Sequence, residues 1–252
     1  MIPRNLTRRQ VNEAVHRSGV IVVLNQKHVR NPKDLVTTMW EIYQAGYIAE
    51  CTFRIDTGIL KEGMAQLVKK RDQSPADNPF VLGVGSVINP VELESAMAMG
   101  FDLIVAPANV MSGHGEGKDF VRLCRQADVF CAPAVFTPTE LQYFIERSDG
   151  LEPDAVKIFP AGTHGPEGIG ALLAPFTRPR HAGRIILPTG GVDEITGPKY
   201  QTAISAQGFT PVLGMSAPLR EVEKQSRPGD IQVIQRSLAE FQQKFRPSCI
   251  PK

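Results

Sequence analysis

The chain has 252 residues, of which 42% are hydrophobic and 21% charged, a composition typical of a soluble globular protein. A formal net charge of +2 argues against a nucleic-acid or membrane partner. The four cysteines form no CxxC pair and no metal-type spacing, and no apolar run approaches the 18 residues of a membrane span. These features predict a reduced, cytoplasmic protein without a metal or another cofactor.

Short apolar runs with strand chemistry recur along most of the chain. Their starts lie roughly 20 to 30 residues apart, which is the room that one strand and one helix need. Eight such runs are present, at 19–25, 46–55, 79–87, 101–108, 128–135, 154–161, 183–191 and 210–216.

Helix-like segments lie between these runs. Three of them begin with Asn or Thr followed by Pro, at Asn31, Asn89 and Thr137, which is the pattern of a capped helix start. Glu140 stands three residues after Thr137, as in a capping box. The run VKKR at 68–71 indicates a charged helix end.

This alternation predicts an α/β protein with a (β/α)8 TIM-barrel fold, formed by residues 1–252 as a single domain. The barrel core is expected at about 18–217, after a helix at 6–17 and before a helical tail at 218–252. An open doubly wound sheet is the alternative, but no GxGxxG motif follows the first strand.

Three charged side chains fall on strand positions that are expected to face the barrel interior. In AECTFR, Glu50, Thr52 and Arg54 alternate with apolar residues, and in DAVKIFPA Lys157 lies between Val156 and Ile158. Side chains alternate across a barrel strand, so the apolar set faces the helices and the charged set faces inward. A buried Glu–Lys–Arg network without a chemical role is the plainer alternative.

Glycine and hydroxyl residues end three of the strands, in GVGSV, PTGG and LGMS. Backbone N–H groups at such turns can approach an anion closely. Turns need glycine in any case, so each turn alone is weak evidence.

These residues resemble the class I 2-keto-3-deoxy-6-phosphogluconate / 4-hydroxy-2-oxoglutarate aldolases. The likeness covers roughly residues 12–217 and follows in order the motifs AECTFR, GVGSV, APA, PAVFTPTEL, VKIFPA, PTGG and LGMS. It implies a trimeric TIM barrel that cleaves 2-keto-3-deoxy sugar acids to pyruvate and an aldehyde such as glyceraldehyde 3-phosphate, without metal.

The resemblance also implies roles for individual residues. Lys157 corresponds to the Schiff-base lysine and Glu50 to the acid/base glutamate. The substrate-binding positions are Arg54, Ser86 and Thr189 for the pyruvate carboxylate, Gly190, Gly191, Gly214 and Ser216 for phosphate, and Thr52, Pro107 and Phe159 elsewhere in the site.

Some segments depart from the family pattern. Ser86 replaces the usual Thr, and APA at 106–108 replaces SPG while keeping Pro107. The segments 109–119 and 162–170 are rich in glycine, carry His114 and His164, and are expected to be long loops. These departures bear on the substrate more than on the lysine chemistry.

Two other functions fit the same residues. A barrel isomerase or decarboxylase acting on a phosphorylated sugar would use Lys157 as an acid/base. A non-catalytic barrel would bind a phosphorylated metabolite without transforming it.

Overall fold

Parallel strands alternate with helices along the chain. The computed structural model describes residues 6–108, 119–147 and 149–245. In these ranges the strands are β1 (Val20–Leu24), β2 (Ile48–Thr52), β3 (Leu82–Gly85), β4 (Leu103–Val105), β5 (Phe130–Ala132), β6 (Ala134–Val135), β7 (Ala155–Ile158), β8 (Ile185–Pro188), β9 (Thr210–Pro211) and β10 (Leu213–Met215). The α-helices are α1 (Arg8–Ser18), α2 (Pro32–Gln44), α3 (Thr57–Asp72), α4 (Pro90–Met99), α5 (Phe120–Gln126), α6 (Pro138–Ile145), α7 (Ala161–Leu173), α8 (Gly197–Ser205), α9 (Arg220–Gln225) and α10 (Ile231–Lys244).

The strands close into a ring of eight strand positions. One parallel ladder runs in the order β10-β1-β2-β3-β4-β5, and a second runs β6-β7-β8-β9. A single residue joins the two ladders at each of their two boundaries: Pro133 lies between β5 and β6, and Val212 lies between β9 and β10. Proline has no N–H to donate to a ladder, which explains why the strands break at Pro133 and after Pro211. The predicted TIM barrel is confirmed.

The apolar core divides into an inner and an outer layer. The inner cluster holds inward residues of the strands, such as Leu103, Phe130 and Leu187, together with Val11 and Val15 of α1. The outer cluster lies between the strands and the helices. Helix α1 therefore closes the N-terminal end of the barrel, so that access to the interior is left to the C-terminal end.

The predicted helix starts are confirmed. Asn31 and Asn89 accept hydrogen bonds from the N–H groups three residues later, at 3.0 and 2.9 Å. Thr137 and Glu140 form a reciprocal capping box. The helix expected at 6–17 is α1, which begins after the N-cap Thr7.

The prediction of a long loop at 162–170 is wrong, because this segment lies within α7. The helix contains a break at Gly165, where φ is +64°, and Pro166 restarts it. Proline suits a helix start because its missing N–H would have no partner there. Burial of Ile169, Leu172 and Leu173 then outweighs the low helix propensity of the glycines. His164 lies in α7, and the predicted loop 109–119 with His114 falls, apart from Asp119, outside the described residues.

The predicted C-terminal helix is α10, and it packs on the outside of the barrel. Gln235 donates to Glu41 at 2.8 Å, and Gln242 donates to the carbonyl of Ala45 at 2.9 Å. Across the described ranges, no helix combines the length and the apolar character that a membrane crossing needs.

Candidate active site

The C-terminal half of the barrel interior carries charged side chains, whereas the N-terminal half is apolar. At the inward positions of β2 and β7, Glu50 and Lys157 replace the apolar side chains. The inward positions of β3 and β10 are occupied by Gly83, Gly85 and Gly214. Glycine at these positions lets Glu50 and Thr189 pack closely against the neighbouring strands. The two charged groups in this interior make this level of the barrel a candidate active site.

Lys157 faces the interior as its strand parity predicts. Its neighbours Val156 and Ile158 belong to the outer apolar layer, whereas Ala155 belongs to the inner one. The lysine is only 4% exposed. Its Nζ atom lies 4.8 Å from the centre of the Phe159 ring, and the predicted substrate-binding role of Phe159 stays a prediction.

Glu50 lies on the inner face of β2 and is 3% exposed. Its carboxylate packs over the Cα atom of Gly85: a Cβ atom at residue 85 would lie 1.8 Å from Glu50 Oε1. Gly85 therefore makes room for the carboxylate. The sequence pattern indicated only a strand-end turn here, because this close approach joins residues 35 positions apart.

Burial dominates the titration of both groups. It lowers the pKa of the Lys157 amine, and the charge of Glu50 raises that pKa to a smaller extent. It raises the pKa of the Glu50 carboxyl, and the charge of Lys157 lowers it to a smaller extent. Within the described part of the chain, neither terminal group makes a hydrogen bond, and no ion pair within 4.0 Å joins them. Both shifts favour the uncharged forms, a neutral amine and a protonated carboxyl.

Arg54 does not lie in the interior, and this part of the parity prediction is wrong. Strand β2 ends at Thr52, and Arg54 lies in the following turn with its side chain 41% exposed. Its Nη2 atom donates to the carbonyl of Ser86 at 3.3 Å and to Glu92 Oε1. Alternation across a strand holds only while the strand continues, so Arg54 is placed at the rim instead.

The other predicted contacts on this side lie near that rim. Ser86 follows β3 with φ at +61°, a conformation that is uncommon for residues other than glycine and often marks a functional site. Thr52 is buried, and its Oγ1 atom accepts from the Arg54 N–H at 3.3 Å. Pro107 is half-buried just after β4.

Thr189 and the glycines that follow it form the opposite side of the opening. The carbonyls of Thr189 and Gly190 accept from the N–H groups of Ala161 and Gly162, at 2.8 and 2.7 Å, and so hold the start of α7. A parallel bridge between Thr189 and Gly214 directs the Gly190 N–H toward the Gly214 carbonyl. Among the described residues the Gly191 N–H has no acceptor, which leaves it available to an anion.

Gly214 and Ser216 lie at the end of the last strand. A Cβ atom on Gly214 would lie 2.3 Å from Thr189 Oγ1, so this glycine makes room for the threonine. Ser216 is exposed directly after β10. The structure therefore brings together the predicted residues of β8 and β10, although only Thr189 and Ser216 contribute side-chain hydroxyls.

One residue at the rim was missed by sequence reasoning. Glu92 is the third residue of α4, where it pairs with Arg54. The signals in the sequence, an Asn89 cap and an acidic first turn, describe an ordinary helix start.

A closed parallel barrel with a desolvated lysine and glutamate toward its C-terminal end is typical of a TIM-barrel enzyme. The model of the KDPG and KHG aldolase family matches residues 11–215. The chain therefore belongs to the KDPG and KHG aldolase family, and it is an aldolase, a lyase.

Solved structures show the same fold. The 2-keto-3-deoxy-6-phosphogluconate aldolase from Zymomonas mobilis is 19% identical with a TM-score of 0.68, over 95% of this chain and 99% of that one. The KDPG aldolase from Legionella pneumophila, with pyruvate captured as a covalent carbinolamine intermediate, is 17% identical with a TM-score of 0.66, over 91% and 97%.

A decarboxylase has the fold as well. The OMP decarboxylase from Leishmania donovani is 12% identical with a TM-score of 0.56, over 95% and 98% of the two chains. Fold similarity alone therefore does not separate an aldolase from other barrel enzymes. No match was found among curated proteins.

Proposed function

We propose that this aldolase uses a Schiff base on Lys157 to cleave a 2-keto-3-deoxy sugar acid, phosphorylated at its far end, to pyruvate and an aldehyde such as glyceraldehyde 3-phosphate. The observation that carries the proposal is the desolvated amine of Lys157 inside the barrel. A lysine must be neutral to attack a carbonyl, and burial lowers its pKa toward that form. The covalent pyruvate adduct named for the Legionella pneumophila aldolase supports the same chemistry here.

The reaction follows from the electron balance of the imine. The neutral amine adds to C2 of the keto acid, and the resulting carbinolamine loses water to give an iminium ion. The electron pair of the C3–C4 bond moves onto the iminium, while the C4 hydroxyl loses its proton and becomes an aldehyde. The pyruvate enamine that is left takes a proton at C3, and water releases pyruvate from the lysine.

Glu50 is the proposed acid/base group. Its carboxyl is buried at the level of Lys157, and burial raises its pKa, which favours a group that can hold a proton as well as release it. No ion pair within 4.0 Å joins the two groups in the described chain, and the proposal places the reacting carbons and a water molecule between them. In the proposal, the ionised Glu50 receives the C4 hydroxyl proton through such a water and later returns it.

Residues around the opening are proposed to hold the two ends of the substrate. Arg54, Ser86 and Thr189 are proposed to bind the carboxylate. The Thr52 hydroxyl supports the turn by accepting from the backbone N–H of Arg54. Pro107 and Phe159 would flank the keto acid. The N–H group of Gly191 and the turn at Gly190, with Ser216, would bind the phosphate, and Gly214 would leave space for Thr189.

Reduction of the imine tests the proposal directly. Incubation with pyruvate and borohydride should add one reduced pyruvate to the chain, and peptide mass spectrometry should locate it at Lys157. The exposed Lys61 provides the control, since K61M should trap pyruvate as the wild type does. An enzyme that cleaves the keto acid without any trapped adduct would use Lys157 as an acid/base, and one that neither traps nor cleaves would be a binding protein.

A second comparison tests the phosphate site. Cleavage of phosphorylated and unphosphorylated 2-keto-3-deoxy acids should show a lower KM for the phosphorylated substrate. S216A should raise that KM and leave the KM of the unphosphorylated acid unchanged. Equal KM values for the two substrates in the wild type would remove the phosphate from the proposal.

Assembly and location are proposed on family resemblance alone. A homotrimer and a cytoplasmic location are expected for this family. Sedimentation of the purified chain tests the first, and fractionation of the source cells tests the second.

A further inference from the structure

We propose that Glu92 is a positioning residue, which holds the guanidinium of Arg54 at the rim in the orientation that receives the substrate carboxylate. The inference rests on the proposed function, because it assigns a supporting residue to the same site. It concerns a side chain that no sequence motif singled out.

Arg54 needs a partner to stay in place. It lies in a turn beyond β2, and its side chain is 41% exposed. An arginine side chain is long and loses rotamer entropy when it is fixed. Without a fixed anchor, the guanidinium would spread over many orientations and bind a carboxylate less well.

Glu92 is itself held rigidly. Its Oε2 atom accepts from the backbone N–H of Ile88 at 3.0 Å, while its Oε1 atom accepts from Arg54. Its side chain is only 18% exposed. It stands in the first turn of α4, where the positive end of the helix dipole stabilises a carboxylate.

The contact leaves part of the guanidinium for a substrate. Glu92 and the Ser86 carbonyl both engage Nη2. Within the described residues, Nε and Nη1 make no hydrogen bond. Each can therefore donate a single hydrogen bond to a carboxylate oxygen while Glu92 keeps its hold on Nη2.

The test compares E92Q with E94Q, since Glu94 is an exposed residue of the same helix. Two quantities are measured: the pyruvate concentration at half-maximal borohydride trapping, and KM and kcat for keto-acid cleavage. E92Q should raise the half-maximal concentration and KM on the order of tenfold, the loss of one charged hydrogen bond, with kcat nearly unchanged. E94Q should match the wild type, and thermal unfolding of both variants shows whether the fold is intact.

A double variant shows whether Glu92 acts through Arg54. In an R54A background, adding E92Q should raise the half-maximal concentration no further. An E92Q enzyme with unchanged or lower KM would overturn the inference, and so would an E92Q effect that persists in R54A. If the wild type traps no pyruvate, the proposed function fails first, which separates that failure from this one.

Discussion

Two pairs of buried charges lie toward opposite ends of the barrel, and they differ in how their charges are satisfied. Near the N-terminal end, Arg71 Nη1 donates to Asp102 Oδ1 at 2.8 Å, and both side chains are fully buried. The same Nη1 donates to the carbonyl of Gly100, and Asp102 Oδ2 accepts from the N–H of Leu82. Toward the C-terminal end, Glu50 and Lys157 are also buried. In the described chain no ion pair within 4.0 Å joins them, and neither terminal group makes a hydrogen bond.

The difference separates structural from chemical use of buried charge. A buried ion pair with hydrogen-bonded partners keeps its charges and ties the chain together. Arg71 and Asp102 connect the end of α3 to the starts of β3 and β4. Glu50 and Lys157 lack this compensation, so their pKa values are shifted toward the neutral forms that imine chemistry needs.

The largest expected effect is the loss of activity when the pair Glu50 and Lys157 is disrupted. K157M should lose keto-acid cleavage to below detection and trap no pyruvate, because the variant lacks the amine that is proposed to form the imine. Methionine has a similar length and no charge, so the free energy of unfolding should not fall. Circular dichroism and urea unfolding check the fold, and cleavage near the wild-type rate would contradict the assignment of Lys157.

Disrupting the pair Arg71 and Asp102 should lower the stability of the fold. R71M removes the guanidinium that pairs with the buried Asp102 carboxylate, which should lower the free energy of unfolding by about 3–5 kcal/mol. The exposed pair Arg9–Glu13 is the control, and R9M should change this free energy by less than about 1 kcal/mol. Urea unfolding measures both. A change below about 1 kcal/mol in R71M would mean that the pair contributes little.

Gly85 offers a way to disturb Glu50 without changing its charge. In G85A the new methyl group would meet the carboxylate, so Glu50 must move, and a shift near 1 Å typically costs about 10²-fold in rate. G170A is the control, because a Cβ atom there would lie 3.8 Å from Ala203, an ordinary contact. Steady-state kcat measures the effect, and wild-type activity in G85A would show that the position of Glu50 is not critical.

The smallest expected effect is a shift in pH dependence. The charge of Glu50 raises the pKa of Lys157, so E50Q should lower it. The neutral amine then appears at lower pH, and the rising limb of the trapping rate should move to lower pH in E50Q. The trapping rate with pyruvate, measured over a pH series, gives the midpoint of this rise, even if E50Q traps more slowly. An unchanged limb would mean that the two groups are not coupled through their charges.

Much of the barrel was predictable from the sequence because its signals are local. Strand runs, helix caps and the inward parity of Lys157 and Glu50 depend on neighbours within a few residues. The loop predicted at 162–170 failed for the opposite reason. Its glycines indicate a loop locally, but burial of Ile169 and Leu172 against the barrel makes the segment helical.

The candidate site divides in the same way. Local pattern identified Lys157, Glu50 and the glycine turns, and family resemblance supplied their roles. Neither the local pattern nor the resemblance showed that β2 ends before Arg54, that Glu92 pairs with this arginine, or that Gly85 makes room for Glu50. The run VKKR indicated a helix end, but not that Arg71 within it pairs with Asp102 in the interior. Each of these facts depends on contacts between residues distant in sequence, so the sequence determined which groups are available and only the closed barrel decided which of them meet.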